Sequence, residues 1–419
     1  MRDSVDQPPE FPDEPYYKGK QVPLSEIAGT LHVANILEGS VRKRDNRLRV
    51  TTQLIRASTG EYLWSETYDR ELNDIFKVQD EITKAVVGAL KVAIQAGANV
   101  GETGGTVNTG AYIAYLQGRE LLQVGGDYET LRAAQDAFRH AVSLDPRFAD
   151  AWGELGGLED SFADMAGDMV AMRRAEADLD KAVELGPDRV IPRIHRAFTR
   201  SIRLWNWEGG REDLSRALAL GPNDARVQTQ YGHFLLVCGR VDDAREALRR
   251  ASDLDPLYSS PLVWLGWGHL MKRDLRAARA SFEKAQLLSP KCVRCQKGIT
   301  EVDLQEGKFD DASRHAAQIQ GDDQGREAYA AMAAHSLGRA SDSQKILGEL
   351  VAHHAADAAF QVGMVYAWRG EKDRAFEWLE RAYRQRDGGL AGLKTEPTLV
   401  PIQDDPRFHS LVRRVGIPE

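Results

Sequence analysis

Five phrases of one shape, AFRHAVSLDP, DLDKAVELGP, DLSRALALGP, ALRRASDLDP and SFEKAQLLSP, close at Pro146, Pro187, Pro222, Pro256 and Pro290, and the last three intervals are 35, 34 and 34 residues. Each phrase carries apolar residues at helical spacing and stops on a residue that cannot continue a helix. A period of this length confines the chain to stacked units, each too small to bury its apolar face alone. In the unit closing at Pro290, Leu265 and Gly266 fall on a first helix, Ala278 and Phe282 on a second, and Ala285 five residues before the proline. The preceding unit places Tyr231, Gly232, Ala244, Leu248 and Ala251 alike. Two antiparallel helices approach closely only where a side chain is nearly absent, and the large partner fills the remaining gap. Turns at Gly307, Gly338 and Gly370 continue the period without proline, and Gly363, Tyr366, Ala375, Leu379 and Ala382 restore the pattern, giving about eight units over residues 111–388. The unit that opens with Trp152, Leu155 and Gly156 is about seven residues too long, and DMAGDMVA is expected to be its loop.

This period and its small residues resemble the tetratricopeptide repeat, which implies a mostly α fold, an α-solenoid whose concave face is lined by the first helix of each unit. The residues just after the close-packed glycines turn toward that groove: Gly157, Phe198, His233, Trp267, Glu301, Met332 and Met364. The line is mostly apolar and suits a peptide or an amphipathic helix, with Arg226, Arg294 and Lys297 added for an acidic partner. These cations do not reproduce the lysine-asparagine arrangement of carboxylate-clamp repeats. Residues 389–419 are expected to cap the last unit, with Pro406 opening a short helix that turns Phe408, Leu411 and Val412 inward.

Upstream the pattern changes. Ser25 can cap a short helix carrying Ile27, Ala28 and Leu31. A strand over Val33–Val41 and a turn at Asp45-Asn46 follow, then a strand in which Leu48, Val50, Thr52 and Leu54 alternate with polar neighbours. STGE turns the chain again, YLWSETY forms a third strand, and from Asn73 or Asp74 a helix sets Ile75, Val78, Ile82, Val86 and Leu90 on one face. This is a small α/β layer. LEGSVRK, TTQLIRASTGEYLWSETYDREL and DIFKVQDEI are similar to the TolB-like N-terminal domains of bacteria, over residues 16–95. That resemblance implies a place between a signalling module and a tetratricopeptide array, as in adenylate-cyclase-like or winged-helix regulatory proteins. Such domains start earlier, with a strand and helix before YKGK. The sheet is therefore expected to lack a member, leaving an edge for a tail, a partner or a second copy, and the gene start to be shortened. Residues 1–15 read as a disordered tail and 96–110 as a flexible glycine-rich linker.

A net charge of −8 and a pI near 5.8 disfavour nucleic acid as a partner of the whole chain. Positive charge is local: Arg42, Lys43, Arg44, Arg47, Arg49 and Arg56 form a basic hairpin, read as a solvated face because no aromatic residue interleaves to stack bases, with nucleic acid, anionic lipid or an acidic partner surface as the alternatives. The three cysteines are too few for a disulfide framework and suit a reducing compartment. Cys292 and Cys295 have metal-ligand spacing near a helix start but lack the further ligands zinc needs, so they read as structural or incidental, with redox or metal chemistry as the alternative. The adjacent His353 and His354 read as surface residues. With no leader-like segment, no long apolar run and no GxSxG, HExxH or Walker motif, the expectation is a cytoplasmic protein with no catalytic, cofactor or metal site. The chain is expected to be a non-enzymatic scaffold or adaptor in bacterial signalling that binds protein or peptide. The alternatives are the regulatory portion of an adenylate-cyclase-like protein or a transcriptional regulator lacking its DNA-binding domain.

Overall fold

The small residues set helix against helix throughout the chain's larger part. A Cβ on Gly266 would lie 2.6 Å from the Phe282 ring, one on Gly232 2.6 Å from Leu248, and one on Gly156 2.8 Å from Leu179. Phe282, Leu248 and Leu179 are each fully buried, a burial that contributes about 1.5–3 kcal/mol per side chain. The computed structural model describes residues 23–31, 33–71, six positions between 77 and 85, 105–124 and 128–418. The chain divides into two units, Met1–Ile113 and Ala114–Glu419.

In the first unit α1 (Leu24–Leu31) precedes β1 (Asn35–Arg44), β2 (Arg47–Arg56) and β3 (Glu61–Glu71), an antiparallel sheet in the order β1-β2-β3. The register sets Leu37, Leu54 and Trp64 in one row and Val41, Val50 and Tyr68 in another. Leu48, Thr52, Leu54 and Tyr68 on this face are buried, but Leu37 and Val41 on β1 are 49% and 66% exposed. Among the described residues β1 pairs with β2 alone, and no described strand lies at its other edge. The strand starts two residues later than its sequence pattern indicates and runs on through Arg44, because the tight turn at Asp45, with φ +53, lets both strands pair to their ends. Val78 of the expected helix is buried and Ile82 half-buried. Ile75, Val86 and Leu90, the tail and most of the linker lie outside the described residues.

From Thr109 onward the described residues form eight antiparallel helix pairs. They are α2 (Thr109–Val124) with α3 (Tyr128–Leu144), α4 (Ala149–Met165) with α5 (Met169–Leu185), α6 (Val190–Phe198) with α7 (Trp207–Leu220), and α8 (Ala225–Val237) with α9 (Val241–Leu254). Then come α10 (Ser260–Met271) with α11 (Leu275–Leu288), α12 (Val293–Gln305) with α13 (Phe309–Ala316), α14 (Asp323–Ser336) with α15 (Ala340–His354), and α16 (Ala359–Trp368) with α17 (Lys372–Gln385). The long loop expected at DMAGDMVA is absent. Gly167, with φ +62, makes a tight turn, Asp168 caps α5 through the Val170 and Ala171 N–H groups, and the extra residues lengthen both helices to 17. A π-helical turn, Thr199–Arg203, continues α6. Gly210 makes room for it, since a Cβ there would lie 1.8 Å from Ser201 Oγ.

After α17 the chain makes two 3-10 turns, Gly388–Gly392 and Pro397–Ile402, and then α18 (Pro406–Val415). This segment reaches far beyond the last pair. Leu390, Leu393, Leu399, Ile402, Phe408, Leu411 and Val415 join one core with Ile202, Leu214, Phe234, Leu304, Tyr329 and Phe360, while Val412 is only partly buried. Trp207 Nε1 donates to the Val415 carbonyl at 2.9 Å, and Gly388 lies where a Cβ would meet Arg203 and Asp164. The repeats thus come round on themselves, and the segment locks the third pair to the eighth.

Gly266→Leu is expected to destabilise the chain by about 1–3 kcal/mol through overcrowding against Phe282. Gly348→Ala, in open space on α15, should stabilise it by about 0.5–1 kcal/mol. Urea unfolding of the two variants beside the parent chain checks both signs.

Candidate functional site

The first helices of four successive pairs bring rings and cations into a ladder. Phe198, at the end of α6, stacks on His233 of α8 with centroids 5.7 Å apart, and His233 stacks on Trp264 of α10 at 3.7 Å. Arg203 covers the far side of Phe198 at 5.0 Å, and Arg294 of α12 covers Trp264 at 5.8 Å. Burial, then Arg294 and Arg203, pushes the His233 pKa down to about 3, so a neutral ring stands between the two aromatics. Arg203 is held by Asp160 at 3.3 Å and Asp164 at 2.8 Å. Arg294 differs: its side chain is exposed yet walled round by the array, no carboxylate lies within 4 Å of it among the described residues, and enclosure followed by Arg203 lowers its pKa.

Arg226, at the start of α8, pairs with Asp224 at 3.1 Å and faces Glu154 at 3.9 Å. Burial would lower its pKa, but these two carboxylates raise it. Glu154, buried on α4, also meets His195 at 3.1 Å and Arg119 at 3.6 Å. Gly157 leaves the space that the His195 ring fills. Lys297 pairs with Asp322 at 2.7 Å.

Much of the expected groove line is occupied by the chain itself. Met332 and Met364 are buried in the core shared with the C-terminal segment. Glu301 on α12 is wholly buried: Oε1 accepts from Gln305 at 2.9 Å and Oε2 has no hydrogen-bond partner. Glu396 of the C-terminal segment accepts from the Thr398 N–H and hydroxyl at 3.2 and 2.9 Å. Burial, then Glu396, pushes Glu301 well above the carboxylate range, to about 8, and burial raises Glu396 as well. Leu390, Leu393, Leu399 and Ile402 have no exposed surface, and their burial contributes roughly 6–12 kcal/mol together, so the segment is a wall rather than a removable lid. Trp267 packs edge-on against Phe282 at 5.7 Å, within its own unit. Trp264, one helical turn earlier, holds the position on the ladder; its sequence signal was the shared helix face, but the glycine register favours its neighbour.

On the basic hairpin, Arg49 bonds Asp69 at 2.6 Å, Arg47 lies 3.7 Å from the same carboxylate, and Arg56 pairs with Glu61. The hydrogen bond from Arg49 lowers the Asp69 pKa. Arg42, Lys43 and Arg44 on β1 are exposed with no ion pair among the described residues. Cys292 and Cys295 are joined in a disulfide, which the metal-spacing and incidental readings did not include. Cys238 is buried, its thiol pushed up to about 11 by that burial. His353 and His354 lie edge to edge, with His354 3.7 Å from Asp357. Among the described residues no group of His, Cys, Asp or Glu could hold a metal, and no helix is long and apolar enough to cross a membrane.

The second unit is a tetratricopeptide-like solenoid. It is similar to a chain in the crystal structure of the APC/C hetero-tetramer Cut9-Hcn1, with a TM-score of 0.50 and 12% identity over 80% of this chain and 59% of that one. It is also similar to Pseudomonas aeruginosa pilF, with a TM-score of 0.38 and 22% identity over 49% of this chain and 92% of that one. In sequence, 140 residues are 38% identical to a Rhizobium meliloti (strain 1021) protein named "Putative adenylate cyclase 3", covering 33% of this chain and 24% of that protein. No family model matches the chain.

The buried acids and the imidazole give opposite pH dependences. Glu301 keeps its proton in the folded chain and loses it on unfolding between pH 4.5 and about 8, so its contribution to stability falls as pH rises through that window. Asp387, pushed up to about 6 by burial, acts alike but is spent by pH 6. His233 is neutral when folded and charged when unfolded, so its contribution grows from about pH 3 to 6.5 and then stops. From pH 6.5 to 8 Glu301 stands alone of these three. Its carboxyl faces Glu396 and Gln305, with Tyr329 and Lys297 nearby. Thermal scans across this interval should show the melting temperature of the parent chain falling and that of Glu301→Gln level.

Proposed function

We propose that this chain is a non-enzymatic interaction scaffold or adaptor in bacterial signalling, holding a peptide or helix along the part of the inner face that its C-terminal segment leaves open. The observation that carries this reading is the ladder Arg203–Phe198–His233–Trp264–Arg294. Its side chains are fixed by one another before any partner arrives, so little rotamer entropy is lost on binding. Aromatic and arginine anchors of this kind are the groups that dominate interface energetics. An acidic segment fits best, because Arg294 has no carboxylate within 4 Å among the described residues, whereas Arg226 and Lys297 are already paired with Asp224 and Asp322.

The head, on the TolB-like reading of residues 16–95, docks on a neighbouring module or a second copy in a cytoplasmic setting; the edge of β1 at which no described strand lies, with Leu37 and Val41 exposed, supports this. A second reading makes the chain the regulatory portion of an adenylate-cyclase-like protein. The match to the Rhizobium meliloti protein supports it, and with 24% of that protein covered the cyclase activity its name describes stays with that protein.

The test is capture of bacterial proteins on the immobilised full chain, identified by mass spectrometry and compared with Trp264→Ala. Loss of about 2 kcal/mol at a central anchor corresponds to roughly thirtyfold weaker capture with helicity intact. Equal capture by parent and variant would remove the ladder as the binding surface. Trp267→Ala, by contrast, should lower the melting temperature, since that ring packs on Phe282.

A further inference from the structure

The disulfide between Cys292 and Cys295 is a reactive grouping that a scaffold leaves unused. It closes a loop of sequence separation 3, and the stabilisation a cross-link confers is least for short loops, so it is poorly placed to serve as a staple. The two sulfurs are unequal. Cys295 is fully buried inside α12, whereas Cys292 is the partly exposed residue that caps the same helix. Cys292 Sγ accepts the Cys295 N–H at 3.1 Å. α12 is 13 residues long, so its N-terminal end adds a favourable field for negative charge at that sulfur. Arg294, two residues on in the first turn of the same helix, has no carboxylate within 4 Å among the described residues. All three features stabilise a thiolate on Cys292, and a stabilised thiolate favours the reduced pair over the disulfide.

We infer that Cys292–Cys295 is a reversible thiol–disulfide exchange site that takes a small thiol or dithiol reductant through Cys292. The incoming thiolate attacks Cys292 Sγ, forming a mixed disulfide, and the S–S bond breaks with its electron pair leaving on Cys295, which takes up a proton. A second thiol, from the same dithiol or another molecule, attacks the reductant's sulfur and releases Cys292 as thiolate. The balance is two electrons gained by the protein, one proton taken up at Cys295 and one released to solvent with Cys292 left as thiolate, and one disulfide formed in the reductant. The site adjoins the ladder: Cys292 and Trp264 flank the same core, and Arg294, which covers Trp264, sits between the two cysteines in the first turn that reduction would unclamp.

The experiment equilibrates the full chain in buffers of varied glutathione to glutathione-disulfide ratio, quenches with acid, alkylates and weighs the protein. The pair is expected to pass from no labelled thiols to two across the series, with Cys238 unchanged. In oxidised glutathione, Cys295→Ser should gain one glutathione at the partly exposed Cys292, and Cys292→Ser none, its remaining thiols, Cys238 and Cys295, being buried. A pair that keeps one state across the whole series, or two serine variants that take up glutathione equally, would overturn the assignment. Helicity of both variants is recorded first; if either unfolds, the parent titration alone decides.

Discussion

Phe282 shows what the array depends on. Its ring occupies the space left by two missing side chains, Gly266 in its own pair and Gly298 in the next, where Cβ atoms would lie 2.6 and 2.4 Å away. One side chain therefore joins helix to helix within a pair and pair to pair along the stack. Dense packing leaves such a contact no slack, so each pair's placement is inherited by its successor. Curvature is the accumulated result, and it brings Gly388 to Arg203 and Val415 to Trp207 across 208 residues of sequence.

What could be read from the sequence was whatever obeys that local rule. Gly232, Gly266 and Gly363 and their large partners have the contacts their spacing implies, because a repeat interacts chiefly with its neighbour. The failures share a cause. DMAGDMVA looked like an insertion in a loop, but two helices lengthened by matched amounts preserve the packing as well as a loop does, and spacing alone does not distinguish them. Met332 and Met364 sit at groove positions by register, yet a segment from the far end of the chain covers them. No pattern within a window of one repeat carries that information. The choice between Trp264 and Trp267 was finer still, since residues three apart share a helix face and only the stacking on His233 separates them.

A charge network fixes α6 and its π-helical turn against α5 and α7. Asp213, almost wholly buried, is met by Arg193 at 3.4 Å, Arg196 at 2.8 Å and Arg200 at 3.1 Å, and the last two also reach Asp180. A network with each member held by several partners resists rearrangement, because removing one leaves a buried charge uncompensated. Arg203, tied to Asp160 and Asp164, carries that rigidity to the first ring of the ladder. The π-helical turn is what brings it there, and Trp205, held at φ +56 between Tyr383 and Arg386, fixes the chain just beyond.

The two ends of the ladder consequently differ in kind. At Arg203 the guanidinium is already committed, and its role is to hold Phe198 and, through it, His233 in place. At Arg294 the side chain is exposed and has no carboxylate within 4 Å among the described residues, in a chain whose net charge is −8. An exposed cation of this sort is open to an anion, and the pair would strengthen if the anion arrived with apolar surface to exclude water. Neutral His233 makes the same point from the other side: a charged imidazole there would repel both arginines, and burial keeps it uncharged throughout the neutral range. On the binding reading proposed above, such a ladder discriminates by sign at one end and by ring contact along its length, which is selectivity obtained from packing.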